Sequence, residues 1–307
     1  MTVFVTGGTG AIGGHAVPAL VAVGHDVTAL ARTPGKAAVL REQGAKPVIV
    51  SLFDREALAE AFAGHDAVVN LASSLPSMSR FLSAKAWEAT KRVRSEGSAA
   101  VADAAAEAGV TRMIQESVCM IYPDRGDEWI GEDVPVEHYP AALGNLAAEA
   151  NANRFTEAGG TGVILRFGWF YGPGAAHSEQ LLGQARRGIG AALGRLDGYV
   201  SSIHMTDAAS AVVAALQAPA GVYNVVDDEP LTKRDYSAAL AAATGKRQWV
   251  RGPGRAALLL GDRLTSLTRS IRVGNTAFRD ATGWAPRYPS AREGWVATAE
   301  ALGVRQG

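Results

Sequence analysis

Gly7, Gly10 and Gly13 are the residues whose spacing speaks most directly of chemistry. They follow a short β-branched run, Val3-Phe4-Val5, and lead into a helical pattern from Ala11 to Val23. A strand that breaks into glycines and re-enters as a helix is the context in which such a spacing holds a dinucleotide. Gly7 lets the chain turn sharply off the strand. Gly10 lets the backbone approach a pyrophosphate with no Cβ in the way, and Gly13 lets the helix pack close to the strand. The free N–H groups and the dipole at the helix start then meet the negative charge.

The end of the second strand decides which dinucleotide fits. An acidic residue there would bind the ribose hydroxyls of NAD. This chain has Ala31-Arg32-Thr33, with Lys36 further on, and Asp26 stands before the strand, at the wrong end. Arg32 suits a 2′-phosphate, so NADP is the expected cofactor and NAD the second choice. The competing reading of Arg32 is a solvated loop charge.

The elements that must position these residues alternate. Strands are expected at 27–30, 48–50, 66–72, 112–118 and 163–167. Helices are expected at 36–43, 56–62, 84–108 and 141–158, with Asp54 capping the second of these. The alternation is the pattern of a parallel sheet covered on both faces. The expected fold is α/β: a Rossmann-like, doubly wound parallel sheet in the order 3-2-1-4-5-6. Residues 1–172 would form the dinucleotide-binding domain, with returns from the C-terminal half. Residues 173–307 would form a smaller substrate lobe. In that half a strand is expected at 222–226 and helices at 207–217 and 233–243. Gly252-Pro253-Gly254 reads as a loop, and Trp284, Pro286, Tyr288 and Pro289 as a rigid aromatic stretch.

Composition narrows the partners. Acidic and basic residues balance at 30 each across 307 positions, and no basic block favours nucleic acid or an anionic membrane. Cys119 is the only cysteine, which rules out a disulfide framework and a thiolate metal site. The histidines show no ligand spacing. No apolar run approaches the length of a bilayer span, and no signal peptide opens the chain. A cytoplasmic protein acting on a small-molecule substrate is expected.

Several stretches together resemble one family. They are Thr6-Gly7-Gly8-Thr9-Gly10-Ala11-Ile12-Gly13, Ala63-Gly64-His65-Asp66-Ala67-Val68-Val69-Asn70-Leu71-Ala72, Leu165 to Gly174, Ile203 to Ala209, and Thr282-Gly283-Trp284-Ala285-Pro286. The chain looks like an extended short-chain dehydrogenase/reductase of the NAD-dependent epimerase/dehydratase type. The resemblance implies cofactor contacts from Gly7, Thr9, Gly10, Ala11, Ile12 and Gly13, and from Leu71, Ala72 and Phe167. It also implies pairing of two copies through the helices 84–108 and 141–158.

The family's catalytic pattern does not carry over. Where it has a Ser or Thr four residues before a Tyr, this chain has Val118 before Tyr122, with Ser117 one place off. Aligned on Glu149, the place of the family's Tyr is Ala141 and that of its Lys is Asn145. A family Asn in the long helix falls at Arg94. Glu116 faces the same side as Val118, one strand period away, and is the first choice for a substitute acid. Its competing reading is a partner for a buried Arg. Tyr122, Tyr139 and Asn145 complete the candidate set. Arg166 and Ser117 read as structural, and His204 with Asp207 as a helix start capped by Asp207 or Thr206. Two functions fit: an NADP(H)-dependent oxidoreductase acting on a small carbonyl, enone or quinone-like substrate with an altered proton donor, or an NADP(H)-binding protein without net redox turnover, such as a cofactor-ratio sensor or a lyase.

Overall fold

The computed structural model describes residues 1–75, 83–190, 194–247, 250–251 and 264–304. The Gly252-Pro253-Gly254 stretch lies outside them. Seven parallel strands form the central sheet: β1 (Thr2–Thr6), β2 (Asp26–Ala31), β3 (Lys46–Ile49), β4 (Ala67–Asn70), β5 (Arg112–Val118), β6 (Thr161–Phe167) and β7 (Gly221–Val225). Their order is 3-2-1-4-5-6-7. The first six stand in the order expected from the pattern of residues. The seventh comes from the C-terminal half and pairs along β6 from Gly221–Val163 to Val225–Phe167.

Side chains alternate across the sheet, as strand geometry requires. Val3, Val5, Val69, Ile114 and Leu165 face one core, closed by α1 (Gly13–Ala22), α2 (Pro34–Glu42) and α8 (Met205–Ala215). Phe4, Val68 and Met113 face the other, closed by α3 (Arg55–Phe62) and α5 (Ser98–Glu107). Asp54 caps α3 as its type and position demand, accepting from the Ala57 N–H at 3.1 Å.

The expected helix 84–108 is continuous but not uniform. It runs as α4 (Ala84–Arg92), a π turn over Val93–Gly97, and then α5. The following helix, α6 (Leu143–Glu157), docks on the π turn, where Asn151 Nδ2 donates to Ser95 O and Ser98 Oγ at 3.2 and 2.7 Å.

In the second half, α7 (Ala176–Arg186), α9 (Lys233–Thr244) and the helix Ala291–Ala301 pack around Trp295, Tyr236 and Leu240. The helix start at 204–207 corrects the sequence reading. His204 caps α8, accepting from Thr206 N–H, while Asp207 reaches away. The Asp207 carboxylate accepts from the backbone N–H groups of Arg287 and Tyr288 at 2.9 and 3.1 Å, and so holds the aromatic stretch in place. Among the described residues no helix is long and apolar enough to cross a membrane.

Candidate functional site

The glycine turn is built so that side chains cannot enter it. Gly7 has φ +72°, and a Cβ there would stand 2.5 Å from the Leu71 carbonyl oxygen. A Cβ on Gly13 would stand 2.2 Å from the Gly7 carbonyl oxygen and 2.6 Å from Gly8 Cα. Gly13 therefore packs against the turn itself rather than against the strand. Thr9 is half-buried, while Gly10 and Ala11 are exposed at the mouth of the turn. α1 starts without a side-chain cap and without an acidic residue in its first turn. Bare backbone and uncapped N–H groups are what a pyrophosphate needs, so the residues present fit a dinucleotide.

Arg32 is exposed just past the end of β2, beside α2, whose start Thr33 caps by accepting from Lys36 N–H. Asp26, at the far end of the same strand, pairs with Lys46 at 2.8 Å. Leu71 and Ala72 follow β4 directly, and the Ala72 N–H donates to Asn70 Oδ1. The side chains of Ile12, Leu71 and Phe167 are buried in the core, Phe167 against Phe170.

The expected proton donors are committed elsewhere. Glu116 is 2% exposed, and both its oxygens lie within 2.9 Å of Arg94 Nη2. It is the partner of a buried cation, which corrects its assignment as a free acid. Tyr122 has no exposure; its hydroxyl accepts from Arg166 Nη1 at 2.8 Å and donates to Asn224 Oδ1 at 2.9 Å. Burial pushes its pKa up to about 12. Tyr139 donates to the Met120 carbonyl at 2.7 Å, and burial likewise pushes it up to about 12. Both tyrosines are bridges in the fold. Neither is a donor open to substrate.

Three groups do lie together at the carboxyl end of β5. Val118 and Ala141 are partly open and share one apolar cluster with Ile121, Ala142 and Leu146. Asn145, in the first turn of α6, is 7% exposed, and its Oδ1 has no hydrogen-bond partner among the described residues. Arg94, reached through the π turn, is 3% exposed, and its Nη1 is likewise without a partner among the described residues. Arg94 packs on α6 at Gly144, where a Cβ would meet Arg94 Cβ at 3.3 Å. A polar thread reaches the same edge from β1: Thr6 donates to Asn70, Asn70 to Gln115, and Gln115 to the Glu116 carbonyl. Arg94, Asn70 and Gln115 were not among the sequence candidates. The one signal for Arg94 was a long cation where the family carries a short amide. No cluster of metal-ligating side chains occurs among the described residues.

Comparisons with known proteins agree with this fold. The model of the NAD dependent epimerase/dehydratase family matches residues 3–226. The chain is 32% identical over 306 residues to a 3-diazoavenalumate denitrifying reductase from a Streptomyces species, covering 96% of this chain and 99% of that protein. It is 31% identical over 280 residues to a 4-hydroxy-2-methyl-3-oxo-4-farnesyl-3,4-dihydroquinoline-1-oxide ketoreductase from Stigmatella aurantiaca, covering 86% of this chain and 80% of that protein. The structure of a Thermus thermophilus UDP-glucose 4-epimerase in complex with NAD superposes with a TM-score of 0.79 at 25% identity, over 98% of both chains. A human epimerase family protein with NADPH superposes with a TM-score of 0.80 at 23% identity, over 98% of this chain and 99% of that one, and shows the shared fold. On a family model that spans the whole central sheet, and on reductases matched over most of its length, this protein belongs to the NAD dependent epimerase/dehydratase family.

Proposed function

We propose that this chain is an NADP(H)-dependent reductase that delivers hydride to a small, electron-poor ring, quinone-like or diazo-bearing, whose own conjugation takes up the charge. The observation that carries this reading is the commitment of Glu116, Tyr122 and Tyr139 to buried partners beside an apolar Val118–Ala141 wall. An ordinary ketone gains an alkoxide on reduction and needs an acid at once. A quinone or an arenediazonium does not. Hydride on a quinone leaves a delocalised phenolate. Hydride on the terminal nitrogen of an arenediazonium gives an aryl diazene, which loses dinitrogen and keeps the hydrogen on carbon. The similarity to a reductase named for a diazo substrate supports the second case.

Gly7, Gly10 and Gly13 with the uncapped start of α1 would hold the pyrophosphate. Arg32 and Lys36, both exposed at the start of α2, would take a 2′-phosphate, which favours NADP over NAD. The bound reduced cofactor supplies the hydride. Val118 and Ala141 exclude water from the acceptor's face. Pairing of two copies through the helices 84–108, which are α4, the π turn and α5, and 141–158, which holds α6, is part of the proposal, tested by the mass in light scattering at micromolar concentration.

The test is a panel of quinones, diazo-arenes and simple ketones with NADPH, followed by the near-ultraviolet absorbance of the reduced cofactor. Quinones or diazo-arenes should turn over, and ketones should be slower by about 10²-fold or more, the usual worth of acid–base help. Equal rates across the panel would sink the reading. No cofactor consumption with any acceptor would favour a binding protein without redox turnover.

A further inference from the structure

Arg94 is a buried cation with one end fixed and the other without a partner among the described residues. Nη2 donates to Glu116 Oε1 at 2.9 Å and lies 2.8 Å from Oε2, which itself has no hydrogen-bond partner among the described residues; both side chains are 3% exposed. Nη1 is buried and has no acceptor among the described residues. A buried charged donor without an acceptor is costly, and folded proteins rarely keep one without use. Asn145 repeats the pattern from the neighbouring element, with a buried Oδ1 that no described residue engages.

The fold holds this arrangement tightly. The π turn Val93–Gly97 carries Arg94, and wide turns of this kind recur at functional sites. Gly144 leaves room for the Arg94 stem against α6, and Asn151 fastens α6 to the same turn. Glu116 lies at the carboxyl end of β5, next to the strand end that bears Val118. Ligands of open parallel sheets sit outside the carboxyl ends of the strands.

We propose that Arg94 is a catalytic residue that binds a ring oxygen of the substrate and holds the negative charge this oxygen gains, with Glu116 as its positioning residue. The substrate class is an aromatic or quinonoid ring bearing an oxygen conjugated to the hydride acceptor. This rests on the reading of the chain as a hydride-delivering reductase. In the step, the C–H bond of the reduced nicotinamide cofactor would break and its hydride would bond to an atom attached to the ring, the terminal nitrogen of a diazo group or the far oxygen of a quinone. The conjugated C=O π pair moves onto oxygen, which becomes a phenolate. No proton is consumed there; water protonates the phenolate after release. A fixed guanidinium in a dry site stabilises such a charge without reorganising. Asn145 Oδ1 is an acceptor, so it disfavours the anion and suits a neighbouring hydroxyl or N–H of the ligand.

The experiment needs neither cofactor nor turnover. The probe is 4-nitrophenol, whose phenolate absorbs in the visible and whose phenol does not. It is titrated with the purified protein at a pH one unit below the probe's own pKa. A cation within contact range lowers a partner acid's pKa by about one to three units. The phenolate-to-phenol ratio of bound probe should therefore rise about tenfold or more in the wild type. It should return to the free-solution ratio in Arg94→Met. Arg94→Met strands Glu116, so Arg94→Met/Glu116→Gln, which removes the charge from both partners, is the second variant. Glu116→Gln alone keeps an oxygen acceptor for Nη2 and removes the opposing negative charge, so the rise should persist at least at the wild-type level. No binding at millimolar probe, no rise in the wild type, or an equal rise in a folded double variant would overturn the proposal. A rise in the wild type with no hydride transfer to any acceptor would keep Arg94 as an oxyanion site and remove the reductase reading alone.

Discussion

Arg166 and Glu149 meet edge to edge beneath the sheet, with Nε to Oε1 at 2.9 Å and Nη2 to Oε2 at 2.7 Å. Ser117 donates to the same Oε1 at 2.6 Å, and the remaining Nη1 of Arg166 reaches Tyr122. β5, β6, β7 and α6 are thereby tied through one buried network. Glu149→Ala should cost about 3–5 kcal/mol, since it leaves a buried guanidinium without its anion. Tyr122→Phe should cost less, about 1–3 kcal/mol, by stranding Arg166 Nη1 and Asn224 Oδ1. Chemical unfolding measures both. Turnover per folded Tyr122→Phe molecule should stay at the wild-type value; a hundredfold fall would restore Tyr122 as a proton donor.

The glycine turn separates folding from binding by position. Gly13→Ala puts a Cβ onto backbone and should destabilise the protein by about 3 kcal/mol or more. Gly10→Ala meets only the Gly7 carbonyl oxygen, at 3.1 Å, in an exposed place. It should change stability by less than about 1 kcal/mol yet weaken NADPH binding about tenfold or more. Thermal melts with and without NADPH test both, and unchanged affinity in Gly10→Ala would remove that residue from the site.

Arg32 has no ion pair among the described residues and stands exposed beyond β2. If it takes a 2′-phosphate, NADPH should bind more tightly than NADH, and Arg32→Ala should narrow that gap by about tenfold or more. Equal affinities in the wild type would make Arg32 a surface charge.

How much of this was legible in the sequence follows from how local each signal is. The turn at Gly7 to Gly13 and the cap at Asp54 are decided within a few residues, and both stand where the pattern puts them. The partner of Glu116 is not local. Strand period gives the face of a side chain, but Arg94 arrives from a helix 22 residues away through a π turn. No periodicity of residue types announces such a turn. Asp207 departs from its expected capping role for a similar reason: the N–H groups it accepts from, on Arg287 and Tyr288, are 80 and 81 residues further on.

His204 should shape the acid response. Burial lowers its pKa to about 4, with His15 and Arg287 adding in the same direction. The unfolded chain holds it near 6.5, so between these values the unfolded state binds more protons and stability falls as pH falls. The full contribution is present above about 6.5 and is lost on the way down to about 4. It amounts to roughly 3 kcal/mol at about 1.4 kcal/mol per pKa unit. Denaturation midpoints across that window should slope more steeply in the wild type than in His204→Gln. Parallel slopes would assign acid sensitivity to the carboxylates instead.

The strand Gly221–Val225 also has a consequence for biosynthesis. The nucleotide-binding half can pair six strands once Phe167 has left the ribosome, but the free edge of Thr161–Phe167 then waits for a strand that is translated later. At about 5–20 residues per second the delay is on the order of seconds. Through that interval a hydrophobic parallel edge is open to any extended chain nearby. The nascent protein is thus most exposed to misassembly late in synthesis, when most of its sheet is already formed, and a chain stopped before Gly221 should be bound by chaperones far more than the complete one.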